Sequence, residues 1–200
     1  MSNNSESKDR PLPNKHNTLN FDSINDSFLF GNKLQNDGDH SKAVNVYTIV
    51  LNLIIKNKEN IKEGNFIETA GNNFSIIPVD GVYFNLGKSY FLLKIYDKAK
   101  DSFEQAIITN PKCNSVIHHY LGITKLCMGD SSTCIDDFSA SLNKDPDYYD
   151  SYYMRAAAYA SDNCKFQNLD KAISDVSKYL EYQPNDKAGN NLLETLKGII

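Results

Sequence analysis

Residues 82–111, VYFNLGKSYFLLKIYDKAKDSFEQAIITNP, read as helix, turn, helix. The first run keeps Gly87 in its interior, Ala99 follows twelve residues later, and Phe103, Ala106 and Pro111 stand at fixed offsets beyond it. A glycine inside a helix costs about 1 kcal/mol against alanine, so the spacing, not the propensity, must account for it. Upstream, AVNVYTIVLNLIIKNKENIK after Ser41 stays apolar for longer than one helix of a pair requires. It predicts a helix that runs past Ile55 and breaks near Gly64. NFIETAGNNFSIIPVD then reads as a loop, with Phe74, Ile76 and Ile77 as anchors; loops of this length are mostly functional or disordered. After Pro184, NDKAGNNLLETLKGII places Leu192, Leu193, Leu196 and Ile199 at helical spacing. Residues 1–22 are polar, with Pro11 and Pro13, and read as a disordered tail.

The pattern of residues 82–111 recurs. With Asp80 as position 1, Tyr83, Leu86, Gly87 and Tyr90 take positions 4, 7, 8 and 11, and Ala99, Phe103, Ala106 and Pro111 take 20, 24, 27 and 32. From Ser115, Leu121, Gly122, Cys134, Phe138, Ser141 and Pro146 fill the same slots. From Tyr149, Tyr152, Ala156 and Tyr159 begin a further unit whose turn is four residues longer, around 163–167; Ala172, Val176 and Pro184 return to register. An earlier unit from Ile24 has Phe30, Gly31, Leu34, Ala43 and Tyr47. These residues resemble the tetratricopeptide repeat, a helix–turn–helix unit of about 34 residues. The resemblance covers residues 24–184. It implies an all-α, right-handed solenoid in which each unit's helices cross closely at the small residues of positions 8 and 20. The implied organisation is a tail at 1–22 and a repeat domain at 23–200. Its units are 24–57, 80–113, 115–148 and 149–186, with an insert at 58–79 and a capping helix at 187–200.

In this family the first helix of each unit lines a concave face, at positions 2, 5, 6, 9, 12 and 13. The resemblance therefore implies a partner-binding groove built from Phe28, Asn32, Phe84, Asn85, Lys88, Phe91, His119, Tyr120, Tyr153 and Met154. That surface is aromatic and apolar with a few amides, which suits an apolar peptide or an amphipathic helix. The family's chaperone clamp, which grips the acidic C-terminus of Hsp70 or Hsp90, needs Lys, Asn, Asn, Lys and Arg. Asn32 and Asn85 match the amides. Phe28 takes the first Lys slot, and the last two fall on Val116 and Tyr120, or on Asp150 and Met154. Losing three charge-assisted bonds removes roughly 5–9 kcal/mol if additive, enough to erase micromolar binding. Arg155, at position 7, is expected to point away from the groove.

Composition narrows the function classes. A net charge of -4 with scattered Lys and Arg gives no basic face for nucleic acid. Cys113, Cys127, Cys134 and Cys164 lack zinc-ribbon spacing. No apolar signal segment and no 18-residue apolar run occurs. The expectation is a cytoplasmic protein with free thiols, no membrane and no cofactor. Residues 1–36 and 52–73 are dense in Asn, which is read as compositional bias.

Candidate chemistry is sparse. His118 and His119 point about 100° apart on a helix, so a shared metal is disfavoured. Cys127 lies two turns beyond His119, too far for a nucleophile pair, and is read as a small buried thiol. Asp136 and Asp137 read as a solvated helix face, Tyr152 as core, and no Gly-rich phosphate loop occurs. The resulting expectation is a non-catalytic adaptor, co-chaperone-like at most, that holds a partner segment in its groove. Two alternatives use other surfaces. The insert resembles in role the loops of the NADPH-oxidase activator subunit that bind a small GTPase, although there the insertion falls later in the array. The apolar helix 41–58 offers a face for self-association.

Overall fold

A computed structural model describes residues 23–70, 73–161 and 168–199. Four helical pairs follow one another: α1 (Ile24–Asn36) with α2 (His40–Lys56), α3 (Val79–Leu92) with α4 (Tyr96–Thr109), α5 (Ser115–Cys127) with α6 (Cys134–Lys144), and α7 (Asp150–Ala160) with α8 (Leu169–Tyr182). Helix α9 (Lys187–Ile199) packs on α8 and α7. Each helix contacts the next, and the pairs stack into a solenoid whose core is four successive apolar clusters. The last cluster takes Leu196, buried, with Leu192 and Leu193 against it. The tail at 1–22 and the longer fourth turn at 163–167 lie outside the described residues.

One contact repeats through the first three pairs. A Cβ on Gly31 would sit 2.7 Å from the Tyr47 ring, one on Gly87 2.7 Å from the Phe103 ring, and one on Gly122 2.7 Å from the Phe138 ring. The residue that needs the room is thus the ring at position 24. The small residues at position 20, Ala43, Ala99, Cys134 and Ala172, are themselves fully buried. In the fourth pair Ala156 replaces glycine and Val176 replaces the ring, both fully buried in one cluster. The methyl gained on one helix is matched by bulk lost on the other, as close packing requires.

The turns repeat as well. Gly38, Lys94 and Gly129 hold the same place after the first helix with φ of 81°, 61° and 82°. Each N–H there bonds back to Gln35, Phe91 or Leu126, and the next residue's N–H closes on Leu34, Tyr90 or Lys125. Left-handed backbone at a helix end is where glycine is favoured; Lys94 adopts it with a side chain.

The segment expected to be a loop is a sheet. β1 (Ile61–Lys62), β2 (Asn65–Ala70) and β3 (Asn73–Pro78) pair antiparallel in that order, with Phe66 opposite Ile77 and Ile67 opposite Ile76. Alternation explains it. Phe66 and Ile77 are buried in the first apolar cluster, whereas Phe74 and Ile76 face outward, 69% and 56% exposed. Helix α2 also stops sooner than expected, at Lys56; Asn57 caps it through N–H and side-chain bonds to Leu53, and a 3₁₀ turn follows at Lys58–Asn60. Glu68 on β2 then reaches the start of α1. Its two oxygens accept from the N–H groups of Ile24 (2.8 Å) and Asn25 (3.0 Å), and Ser23 Oγ accepts from Asp26. Together they satisfy the free donors of that helix end.

Three further expectations are corrected. Cys127 is exposed, because it ends α5 at the turn rather than under a neighbouring helix. Asp137 is buried and paired with Lys125 at 2.7 Å, while Asp136 is exposed. His119, expected in the groove, is only 6% exposed. It links three helices: His119 Nδ1 lies 2.8 Å from Ser151 Oγ on α7, which donates to Ser141 Oγ on α6 at 2.9 Å. Its ring stands against Tyr148, Phe138 and Tyr120. Burial drives its pKa down from 6.5 to about 4.

Three outcomes follow from this packing. Gly87→Leu lowers the melting temperature far more than Lys88→Leu, and Gly87→Ala costs about 1–3 kcal/mol. Phe103→Val recovers part of the Gly87→Ala loss, because the pair then copies Ala156 and Val176; thermal melts of the double-mutant cycle measure it. The neutral His119 imidazole adds stability that is complete above its unfolded pKa and drains away as pH falls from 6.5 through about 4. Urea titrations show the wild type losing about 2 kcal/mol more than His119→Gln between pH 7 and pH 5.

Candidate partner-binding groove

Helices α1, α3 and α5 bring most of the expected groove residues together. Asn32 and Asn85 form its polar centre. Asn32 Oδ1 accepts from Tyr47 Oη and from Asn85 Nδ2, both at 2.8 Å. Tyr47 serves both the packing and the site, since its ring covers Gly31 while its hydroxyl reaches Asn32. Burial pushes that phenol above its ordinary value. Gln35 Nε2 donates to the Asn85 carbonyl (2.8 Å) and to Ser89 Oγ (2.7 Å), and Ser89 Oγ donates to the same carbonyl. The two first helices are therefore joined by side-chain amides. Ser89 was not among the expected residues; nothing in the repeat pattern marks it.

Beside the amides stand half-buried rings. Tyr120 meets Phe84 at 5.6 Å and Phe91 at 6.0 Å, both edge-on, and Phe103 lies beneath at 5.9 Å from Tyr120. Edge-to-face contacts of this kind are favourable and fix ring orientation. Lys88 is half-exposed, one helical turn beyond Asn85 on α3. Phe28 is half-buried against Tyr47, 6.2 Å between rings. At the far end Tyr153 packs on Tyr179 at 5.1 Å and Met154 on the third apolar cluster. Tyr152, expected in the core, is half-buried with Arg155 over its ring at 5.7 Å. His119 belongs to the interior and presents no groove surface.

The clamp positions carry no cation, and Arg155 supplies none. Its guanidinium holds both oxygens of Asp175, at 2.7 and 2.8 Å, and donates to Ser139 Oγ. Such a forked pair is geometrically fixed. Cys113 Sγ lies 3.9 Å from His118 Nε2. Burial pushes that thiol up and that imidazole down, the reverse of what an activated thiolate requires. Among the described residues no group of three His, Cys, Asp or Glu side chains is placed to hold a metal.

Two surface features lie outside the expected groove. Phe74 and Ile76 expose the outer face of the sheet, next to half-buried Ile67 on β2. In the helix expected to mediate self-association, Ile54 is fully buried, and Ile49 and Ile55 are 42% and 56% exposed. No helix among the described residues is long and apolar enough to cross a membrane.

Comparison with known proteins agrees with this architecture. Residues 82–113 match the tetratricopeptide repeat family model. The chain is 29% identical over 112 residues to the DnaJ homolog subfamily C member 7 homolog of Dictyostelium discoideum, covering 54% of this chain and 20% of that protein. It thus spans about a fifth of the length of that curated relative. Among solved structures, the first repeat domain of Spaghetti (RPAP3) bound to the HSP90 peptide SRMEEVD superposes with a TM-score of 0.56 at 22% identity, covering 60% of this chain and 91% of that one. MamA superposes with a TM-score of 0.64 at 20% identity, covering 83% and 81%. The repeated ring-on-glycine contact, the family match on the second unit and the shared fold agree: residues 82–113 are a tetratricopeptide repeat, and the chain folds as an all-α solenoid of such helical pairs.

Proposed function

We propose that this protein is a non-catalytic adaptor that holds a segment of a protein partner against the face formed by α1, α3 and α5. Tetratricopeptide repeats mediate protein–protein interaction, and two neighbours in this fold, the RPAP3 domains, hold HSP90 and HSP70 peptides. The observation that carries the reading is the cluster of half-buried rings of Phe84, Phe91 and Tyr120 beside the joined amides of Asn32 and Asn85. Partly exposed aromatic rings on a rigid support are the usual anchors of binding energy. Lys88 stands at the edge of this surface, and Phe28, Tyr153 and Met154 extend it toward either end. Among the described residues Cys113, Cys127 and Cys134 form no disulfide, which fits a reducing cytoplasm.

A second reading places the partner on the insert, as an assembly or small-GTPase-binding scaffold. The outward faces of Phe74 and Ile76 favour it, since large exposed apolar side chains in one patch mark interaction sites.

Point variants separate the two. Removing the whole insert also removes Phe66 and Ile77 from the core, so Phe74→Ser with Ile76→Ser is the cleaner change. In affinity capture from native cytosol, Phe84→Ala with Tyr120→Ala loses the principal partner by about tenfold or more, about 1.4 kcal/mol per decade. The sheet double variant retains it. The opposite outcome moves the function to the sheet. Thermal melts of both proteins, with Leu at 84 and 120 as a volume-conserving control, tie any loss to the surface rather than to unfolding.

A further inference from the structure

We infer that the groove takes an internal, uncharged stretch of an extended partner chain, read through its main chain by Asn32 and Asn85, and not a free C-terminal carboxylate. The inference rests on the groove reading above and narrows it to one class of ligand.

The amide pair sets the chemistry. Asn32 Oδ1 is occupied by Tyr47 Oη and Asn85 Nδ2. Among the described residues, Asn32 Nδ2 and Asn85 Oδ1 bond to no other protein group, and neither is sealed from solvent. A donor therefore stands next to an acceptor. Turning both amides over exchanges their roles and again leaves one of each, so the pairing does not depend on which atom is nitrogen. A peptide group has one C=O and one N–H and matches that pair. A carboxylate has acceptors only and would meet the free oxygen. Gln35 holds the α3 backbone at Asn85, so the pair is fixed in place before a ligand arrives.

Charge points the same way. Phe28, Val116 and Tyr120 stand where a carboxylate grip needs cations, and the alternative slots hold Asp150 and Met154. Arg155 is committed to Asp175 and Ser139. Of the described residues expected in the groove, Lys88 is the cation, half-exposed, and a single solvated cation contributes little. The neighbouring rings offer what an uncharged ligand uses. Phe84 precedes Asn85 on α3, and its ring, with those of Phe91 and Tyr120, seats an apolar side chain beside the amide contact. In an extended chain alternate side chains point to the same side, so one residue can rest on the rings while its neighbour's peptide group meets the amides.

The test uses the full chain. Fluorescence polarisation with SRMEEVD and SGPTIEEVD, the chaperone peptides of two structural neighbours, as free acids, gives no binding tighter than about 1 mM. A phage library of internal, non-terminal peptides yields binders that are uncharged and apolar. Resynthesised as acid and as amide, they differ in affinity by less than about threefold, or under about 0.7 kcal/mol. Asn32→Ala, Asn85→Ala and Phe84→Ala each weaken them about tenfold or more. Micromolar binding of either chaperone peptide, or binders that need a free carboxylate yet still depend on Asn32 and Asn85, overturns the inference and leaves the groove reading standing. Binders indifferent to all three substitutions, or no binders at all, overturn both.

Discussion

The solenoid depends on one contact: an aromatic ring of the second helix lying where the first helix has no side chain. At 2.7 Å from the virtual Cβ of Gly31, Gly87 and Gly122, the rings of Tyr47, Phe103 and Phe138 leave no room for a methyl group. The helix-propensity loss at each glycine is about 1 kcal/mol. Burying a whole ring contributes roughly 1.5–3 kcal/mol, so the exchange is favourable three times over. The Ala156 and Val176 pair uses the opposite partition of the same volume. What the repeat keeps constant is the space between the rods, not the residue that fills it.

That spacing also brings the amides and rings of the first helices together. First helices spaced by fixed rings sit close enough for Asn85 to reach Asn32 and for Tyr120 to reach Phe84. Tyr47 couples the two levels most directly, since the ring that sets helix distance also carries the hydroxyl that orients Asn32. Farther along, His119, Ser151 and Ser141 form a polar joint in an otherwise apolar stack. His119 Nδ1 and the two hydroxyls find partners within the protein, which is what makes such buried polar groups tolerable.

The repeat pattern made the four helical pairs legible, together with the side chains that α1, α3 and α5 bring together around Asn32, Asn85 and Tyr120, because each slot has one packing role. Among the features that escaped it, three have a clear physical reason. Position 5 or 9 specifies a direction only while neighbouring units hold a standard angle. His119 faces α7 closely enough that Ser151 and Tyr148 enclose it. The strands were hidden because the burial of Phe66 and Ile77 comes from packing against α2 and α3, which the short alternation of the insert does not report, and Asn-rich flanks resemble loop composition. Asp137 looked solvated because its partner, Lys125, lies on the preceding helix, and no local periodicity reports a cross-helix ion pair.

The carboxylate of Glu68 at the start of α1 carries a consequence for how the molecule assembles. It completes a helix end 44 residues earlier in the chain. During synthesis α1 leaves the ribosome before the hairpin, yet its end is finished only after the hairpin has closed. Securing that helix start therefore needs a contact far apart in sequence, slower to close than the local contacts within each helical pair.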